Sequence, residues 1–240
     1  MSFSVTAYQN EYLPDGSTEV HAIVTVTADA DGAGAASAGA GAGAEKVVVL
    51  IVDTSGSMTE PGSKIRSARK AAATAVELLP DGTFFAVIAG SDVADCVYPP
   101  QAGLAVADDR TRSEAADVVR AFSAGGGTAI STWLDLAREL CESKPGAIRL
   151  AYLLTDGRNQ SEPREALEAA LQRAAGVFQC DARGVGADWD VSELRLITTT
   201  LLGEVDIIET PERMDDDFRA FLERAIGKTM ADVRLRMWTP

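Results

Sequence analysis

At 240 residues the chain can form one domain, or one domain with a small addition, and is too short for two full enzymes. Hydrophobic residues at 46% and charged residues at 24% describe a chain that folds, which excludes the disordered and collagen-like classes. A formal net charge of -14 repels phosphate backbones and anionic lipid headgroups, so nucleic acid is not expected as a partner.

The chain opens MSFSVTAYQNEY, without the basic start and long apolar run of a signal peptide. No later segment approaches the roughly 18 apolar residues of a membrane span, so the expectation is a cytoplasmic protein with no membrane insertion. Residues 3–8 and 20–28 alternate with period two on either side of Pro14-Asp15-Gly16, a turn signal. This predicts a β-hairpin within residues 1–29. His21, the single histidine, lies in that alternating stretch with no second histidine to assist it, and is assigned to a solvent-facing position. Residues 30–44 are almost wholly Gly and Ala. Gly32, Gly34, Gly39, Gly41 and Gly43 would each cost a helix about 1 kcal/mol relative to Ala, so the stretch reads as a flexible linker.

From residue 45 to 228 apolar runs alternate with helical patterns. The runs are residues 47–52, 84–89, 148–154, 178–185 and 205–208, each short and continuously apolar, as in strands buried on both faces. Helical patterns occupy residues 64–79, 112–122, 130–141, 163–175, 192–202 and 214–226. In the first of these, Ile65, Ala68, Ala72, Val76 and Leu79 form one stripe. Lys64, Arg66, Arg69 and Lys70 fall largely off it, and Ser63 is the expected N-cap. In the last, Asp215, Asp216 and Asp217 at the start and Lys228 beyond the end complement the helix dipole. Such order predicts an α/β fold: a doubly wound, mainly parallel sheet with helices on both faces. Cys96, Cys141 and Cys180 are an odd count at wide spacing, which reads as reduced, buried thiols.

Directly after the first buried run comes Asp53-Thr54-Ser55-Gly56-Ser57, where ligands of doubly wound sheets collect. Asp53, Ser55 and Ser57 are hard oxygen donors at alternating positions, and a sharp turn at Gly56 directs them toward one point. Gly125-Gly126-Gly127-Thr128 precedes the helix at 130, and Thr155-Asp156-Gly157 ends the run at 148–154, so Thr128 and Asp156 are expected at the same sheet edge. This is cation chemistry, with Mg2+ favoured and Mn2+ or Ca2+ as alternatives, because few carboxylates are available.

The ordered set of DxSxS, a threonine in a glycine-rich loop and an aspartate after a buried strand resembles the metal-ion-dependent adhesion site (MIDAS) of von Willebrand factor A domains. The resemblance extends over residues 45–228, with Asp53, Ser55, Ser57, Thr128 and Asp156 at the family's metal-site positions. It implies a Rossmann-like fold and direct metal contact by Ser55, Ser57 and, with ligand bound, Thr128. It also implies that Asp53 and Asp156 act through water or hydrogen bonds. Neutral hydroxyls around the metal leave it electrophilic toward an outside carboxylate. The implied function is therefore a non-enzymatic binding module whose metal accepts a Glu or Asp from a protein partner. Intracellular bacterial-type members often serve as regulatory or assembly subunits. The alternative is a Mg-dependent phosphotransferase or phosphatase with Asp53 as nucleophile. Against it, Ser55 stands where an aspartate-nucleophile phosphatase carries a second acid.

Three further features receive plain readings. Asp92, Asp95, Asp108 and Asp109 are solvated loop acids rather than a second calcium site, and Trp133, Trp189 and Trp238 are too scattered for a stacking platform. In residues 229–240, Val233, Leu235 and Met237 alternate with Arg234, Arg236 and Trp238, which predicts a strand returning to the N-terminal hairpin to make a small β-layer from the chain termini.

Overall fold

The apolar run at 47–52 becomes the central strand of a mixed sheet in the computed structural model, which describes residues 2–9, 22–29, 44–60, 62–101, 103–156, 159–185, 191–208 and 214–227. The chain divides into two units, residues 1–42 and 43–240.

In the first unit β1 (Ser2–Gln9) and β2 (Ala22–Asp29) pair antiparallel, with Val5 opposite Val26 and Tyr8 opposite Ile23. The two strands expected there are present and paired. Val5, Tyr8 and Ile23 are exposed, as two strands alone provide nothing to bury them. The Pro14-Asp15-Gly16 turn, His21, most of the Gly/Ala linker and the strand expected in 229–240 lie outside the described residues.

The second unit runs β3 (Lys46–Asp53), α1 (Ser63–Glu77), β4 (Phe84–Gly90), β5 (Ala94–Tyr98), β6 (Ala105–Val106), α2 (Asp109–Arg120) and α3 (Ile130–Glu142). It continues with β7 (Ile148–Thr155), α4 (Arg164–Ala174), β8 (Gln179–Val185), α5 (Val191–Thr200), β9 (Val205–Ile208) and α6 (Met214–Gly227). Sheet order is β5-β4-β3-β7-β8-β9, with β6 also pairing β4. Strands β3, β4, β7, β8 and β9 are mutually parallel, whereas β5 and β6 run antiparallel to β4. The five parallel strands are the five expected runs. The antiparallel edge was not expected.

Successive residues of β3 explain why its run is continuously apolar. Val48, Leu50 and Val52 pack into a core with α1, α2 and α6, while Val47, Val49 and Ile51 pack into a second core with α3, α4 and α5. Neither face meets water, so alternation between polar and apolar residues is absent. On the first face Tyr152 of β7 stacks on Phe218 at 4.1 Å and meets Phe221 edge-on at 4.7 Å, which anchors α6. On the second, Trp133 is fully buried and its indole lies over Gly90, where an added Cβ would stand 2.5 Å from the ring. Any side chain at Gly90 would displace it. Cys141 and Cys180 are free and buried, and burial pushes the Cys141 thiol up to about 12.

Several local expectations are corrected. The N-cap of α1 is Gly62, and Ser63 is the helix's first residue. Asp108 does not stand free in a loop: it caps α2 in a reciprocal capping box with Thr111, and Asp109 pairs with Arg112. Asp217 does more than complement a helix dipole, because it is the partner of Arg183 and Tyr152. Among the described residues no helix is long and apolar enough to cross a membrane.

Candidate metal centre

Strand β3 is followed by β4 on one side, and the chain later returns to place β7 on the other. The order reverses between β3 and β7, and their carboxyl ends flank the crevice where open α/β sheets bind ligands. Asp53 ends β3 and Asp156 follows β7, and both are fully buried. Two carboxylates are thus brought to one switch point by strands about a hundred residues apart.

Four of the five expected residues form one hydrogen-bonded chain. Asp53 Oδ1 accepts from the Ser55 amide at 2.8 Å, and Oδ2 accepts from the Thr155 hydroxyl at 2.5 Å. The Ser55 and Ser57 hydroxyls bond to each other at 3.0 Å, and Ser57 donates to Asp156 Oδ1 at 2.7 Å. The alternation in DxSxS has its expected effect, since a 3-10 turn at Gly56–Thr59 folds the loop so that both hydroxyls meet. Burial raises the Asp53 carboxyl above its usual range. The Ser55 and Thr155 hydrogen bonds oppose the shift, and nearby Asp156 adds to it.

The glycine loop that carries Thr128 is held against the serine loop by backbone. Gly125 N–H donates to Thr54 O at 2.7 Å and Gly56 N–H donates to Gly126 O at 3.0 Å, which seats the glycine loop against the serine loop. Gly126 has φ +83°, a left-handed conformation that favours glycine, and a Cβ there would stand 2.4 Å from Asp92 Oδ1. Behind Thr128 the loop after β7 grips the peptide from both sides. The Thr128 amide donates to Ser161 Oγ at 2.9 Å, and Ser161 N–H returns to Thr128 O at 3.0 Å. Asn159 accepts from Ile130 N at 3.1 Å and Glu162 from Ser131 N at 2.9 Å, which satisfies orphan amides at the start of α3.

Lys64, Thr155, Asn159, Ser161 and Glu162 were missed at the sequence level. Lys64 was placed off the buried stripe of α1, yet it is only 7% exposed and its Nζ donates to Asp156 Oδ2 at 2.6 Å. A signal did exist, since a lysine in the first turn opposes the helix dipole and needs a local anion to justify it.

The donor set is two carboxylates and three hydroxyls, all hard oxygens. No group of three or more His, Cys, Asp or Glu gathers among the described residues, which leaves the site rich in hydroxyls. Such a set fits Mg2+ or Mn2+ better than a thiolate- or imidazole-seeking metal.

Comparison with known proteins agrees with the architecture. Residues 46–206 match the profile of the von Willebrand factor type A domain. A solved von Willebrand factor type A protein from Catenulispora acidiphila is 41% identical, with a TM-score of 0.85, covering 94% of this chain and 50% of that one. The ArnB paralogue VWA2 from Sulfolobus acidocaldarius is 18% identical with a TM-score of 0.67, covering 90% of this chain and 53% of its own. Proximal thread matrix protein 1 from the mussel byssus, solved with zinc in its MIDAS motif, is 19% identical with a TM-score of 0.62, covering 76% of this chain and 46% of its own. The chain therefore spans about half the length of these structures. Comparison with curated protein sequences finds no match.

Proposed function

Because the chain belongs to the von Willebrand factor type A family, whose domains commonly mediate protein interactions, we propose that it is a metal-dependent binding module rather than an enzyme. Asp53, Ser55, Ser57, Thr128 and Asp156 hold a divalent cation, with Mg2+ preferred, and a Glu or Asp of a protein partner completes its coordination. The observation that carries this reading is the continuous hydrogen-bonded chain from Asp53 through Ser55 and Ser57 to Asp156 at the switch point. When bound, the metal supplies a positive centre for the incoming carboxylate. The protein's own residues fix hydroxyl donors around it and bury both aspartates.

The burial of Asp53 also speaks against the phosphatase alternative. Both its oxygens already accept hydrogen bonds, and the residue has no solvent exposure, so an attacking lone pair is poorly presented.

Thermal melting of the full chain in Mg2+ and in EDTA tests the metal assignment. A ligand at a hundredfold excess over its Kd stabilises the folded state by about 2.7 kcal/mol. Asp53→Ala and Asp156→Ala should each abolish the metal-induced shift, and an undiminished shift in both sinks the site. The partner half fails separately: an interaction that survives both EDTA and Thr128→Ala takes place elsewhere. The mussel protein's zinc makes Zn2+ a useful third condition.

A further inference from the structure

Lys64 is the second residue of α1, and no acidic residue stands in that helix's first turn. Both its position in the helix dipole and its burial are unfavourable for an ammonium group. Neither cost arises if the residue is apolar, and the neighbouring Ile65 and Ala68 show that this part of α1 packs into a core. Asp156 answers both costs: its Oδ2 takes the ammonium at 2.6 Å while Oδ1 takes the Ser57 hydroxyl. Asp156 is therefore shared between a tethered cation and the hydroxyl-lined site.

We propose that Lys64 is a built-in counter-charge that sets how strongly the site holds its metal and how much positive charge is left for the partner. This rests on the metal-site reading above and extends it to a residue outside the donor set. Among the described residues of the site, Asp53 and Asp156, both ionised when a cation is bound, carry two negative charges, and Lys64 offsets one. A divalent cation in the site then leaves one net positive charge instead of none. Metal binding is weaker than two bare carboxylates would give, and attraction for an outside carboxylate is stronger. Without metal, Lys64 keeps two buried carboxylates from facing one another uncompensated.

Mn2+ titration of the full chain, read by the electron paramagnetic resonance of free Mn2+, tests this directly. Lys64→Met and Lys64→Gln should bind Mn2+ about tenfold or more tightly than the unsubstituted chain, whereas Lys64→Arg should stay within about threefold. Loss of a purely structural residue loosens a site, so tighter binding distinguishes the two roles. Equal or weaker Mn2+ binding in both neutral variants overturns the inference. If the neutral variants fold only with Mn2+ present, the metal is replacing the ammonium and the inference stands. If they fail to fold even in excess Mn2+, the metal cannot take over that role and the inference falls. Asp156→Asn separates the two levels. If Mn2+ binding in the unsubstituted chain does not depend on Asp156, the metal site itself is wrong and Lys64 tunes nothing.

Discussion

Two polar clusters built around buried charges lie in the same domain, and they are balanced differently. Beneath α6, Arg183 donates to Asp217 at 2.8 Å and to the Ala182 and Glu204 carbonyls at 3.1 Å, Tyr152 donates to Asp217, and Arg224 reaches Asp181 at 3.4 Å. Two guanidinium groups face the two shielded carboxylates, Asp181 and Asp217, while Glu204, 3.6 Å from Arg224, is 66% exposed and screened by water. At the carboxyl ends of β3 and β7, the described partners of the two carboxylates are one ammonium, the Ser57 and Thr155 hydroxyls and the Ser55 amide. The first cluster is balanced among its shielded groups and ties α6 to β7 and β8. Among the described residues the second has one negative charge in excess, buried beside hydroxyls. Incomplete neutralisation, rather than burial or polarity alone, marks which of the two suits a cation.

The comparison breaks most visibly at Arg183, whose side chain is only 3% exposed. Arg183→Ala leaves Asp217 without its buried partner and removes a guanidinium lying 5.6 Å from the Tyr152 ring. Removing one member of a buried ion pair costs about 3 to 5 kcal/mol, and urea unfolding should show that loss equally in EDTA and in Mg2+. A loss that Mg2+ largely reverses would mean that the two clusters are coupled.

The site was more legible in the sequence than the balanced cluster, for a physical reason. The DxSxS loop is local: its geometry follows from a strand end and one tight turn, so Asp53, Ser55 and Ser57 can be read from five consecutive residues. The five parallel strands were legible in the same way, because burial on both faces makes their runs continuously apolar. Lys64 was not, since an amphipathic pattern assigns a charged residue to water, and only the fold reveals Asp156 at a separation of 92 residues. Asp217 likewise looked sufficient as a complement to a helix dipole until β8 brought Arg183 beneath it. Strands β5 and β6 escaped notice because they are short and only partly buried edge strands, which lack both the continuous run and a clean alternation.

A smaller effect of opposite sign sharpens the comparison from the other side. Asp53 is fully buried, and burial raises its carboxyl, so in the metal-free protein its ionised form opposes folding at neutral pH. Asp53→Asn keeps an acceptor for the Ser55 amide, and its new N–H2 can donate to the Thr155 hydroxyl oxygen. Metal-free stability at pH 7 should therefore rise by about 1 kcal/mol while the Mg2+-induced thermal shift disappears. A substitution that destabilises the metal-free chain would show the site to be as well balanced as the cluster under α6.

The smallest effect is expected at Arg224, and it asks which guanidinium carries the balance of the α6 cluster. Its side chain is 43% exposed, its contact with Asp181 is long at 3.4 Å, and its other partner, Glu204, is more exposed still. Solvent screening and the entropy of holding a long side chain cancel most of such an attraction, so Arg224→Ala should cost no more than about 0.5 kcal/mol. Asp181 is not stranded by the change, because its Oδ1 accepts from the Glu204 amide at 3.0 Å. Arg183 would then hold the cluster alone, through one carboxylate and two backbone carbonyls on β8 and the segment before β9. A double-mutant cycle of Arg183→Ala with Arg224→Ala, followed by urea unfolding, should give a coupling energy near zero. Strong coupling would mean that both arginines are needed to neutralise the pair of aspartates, and the cluster would stand closer to the metal site in character than its charge count suggests.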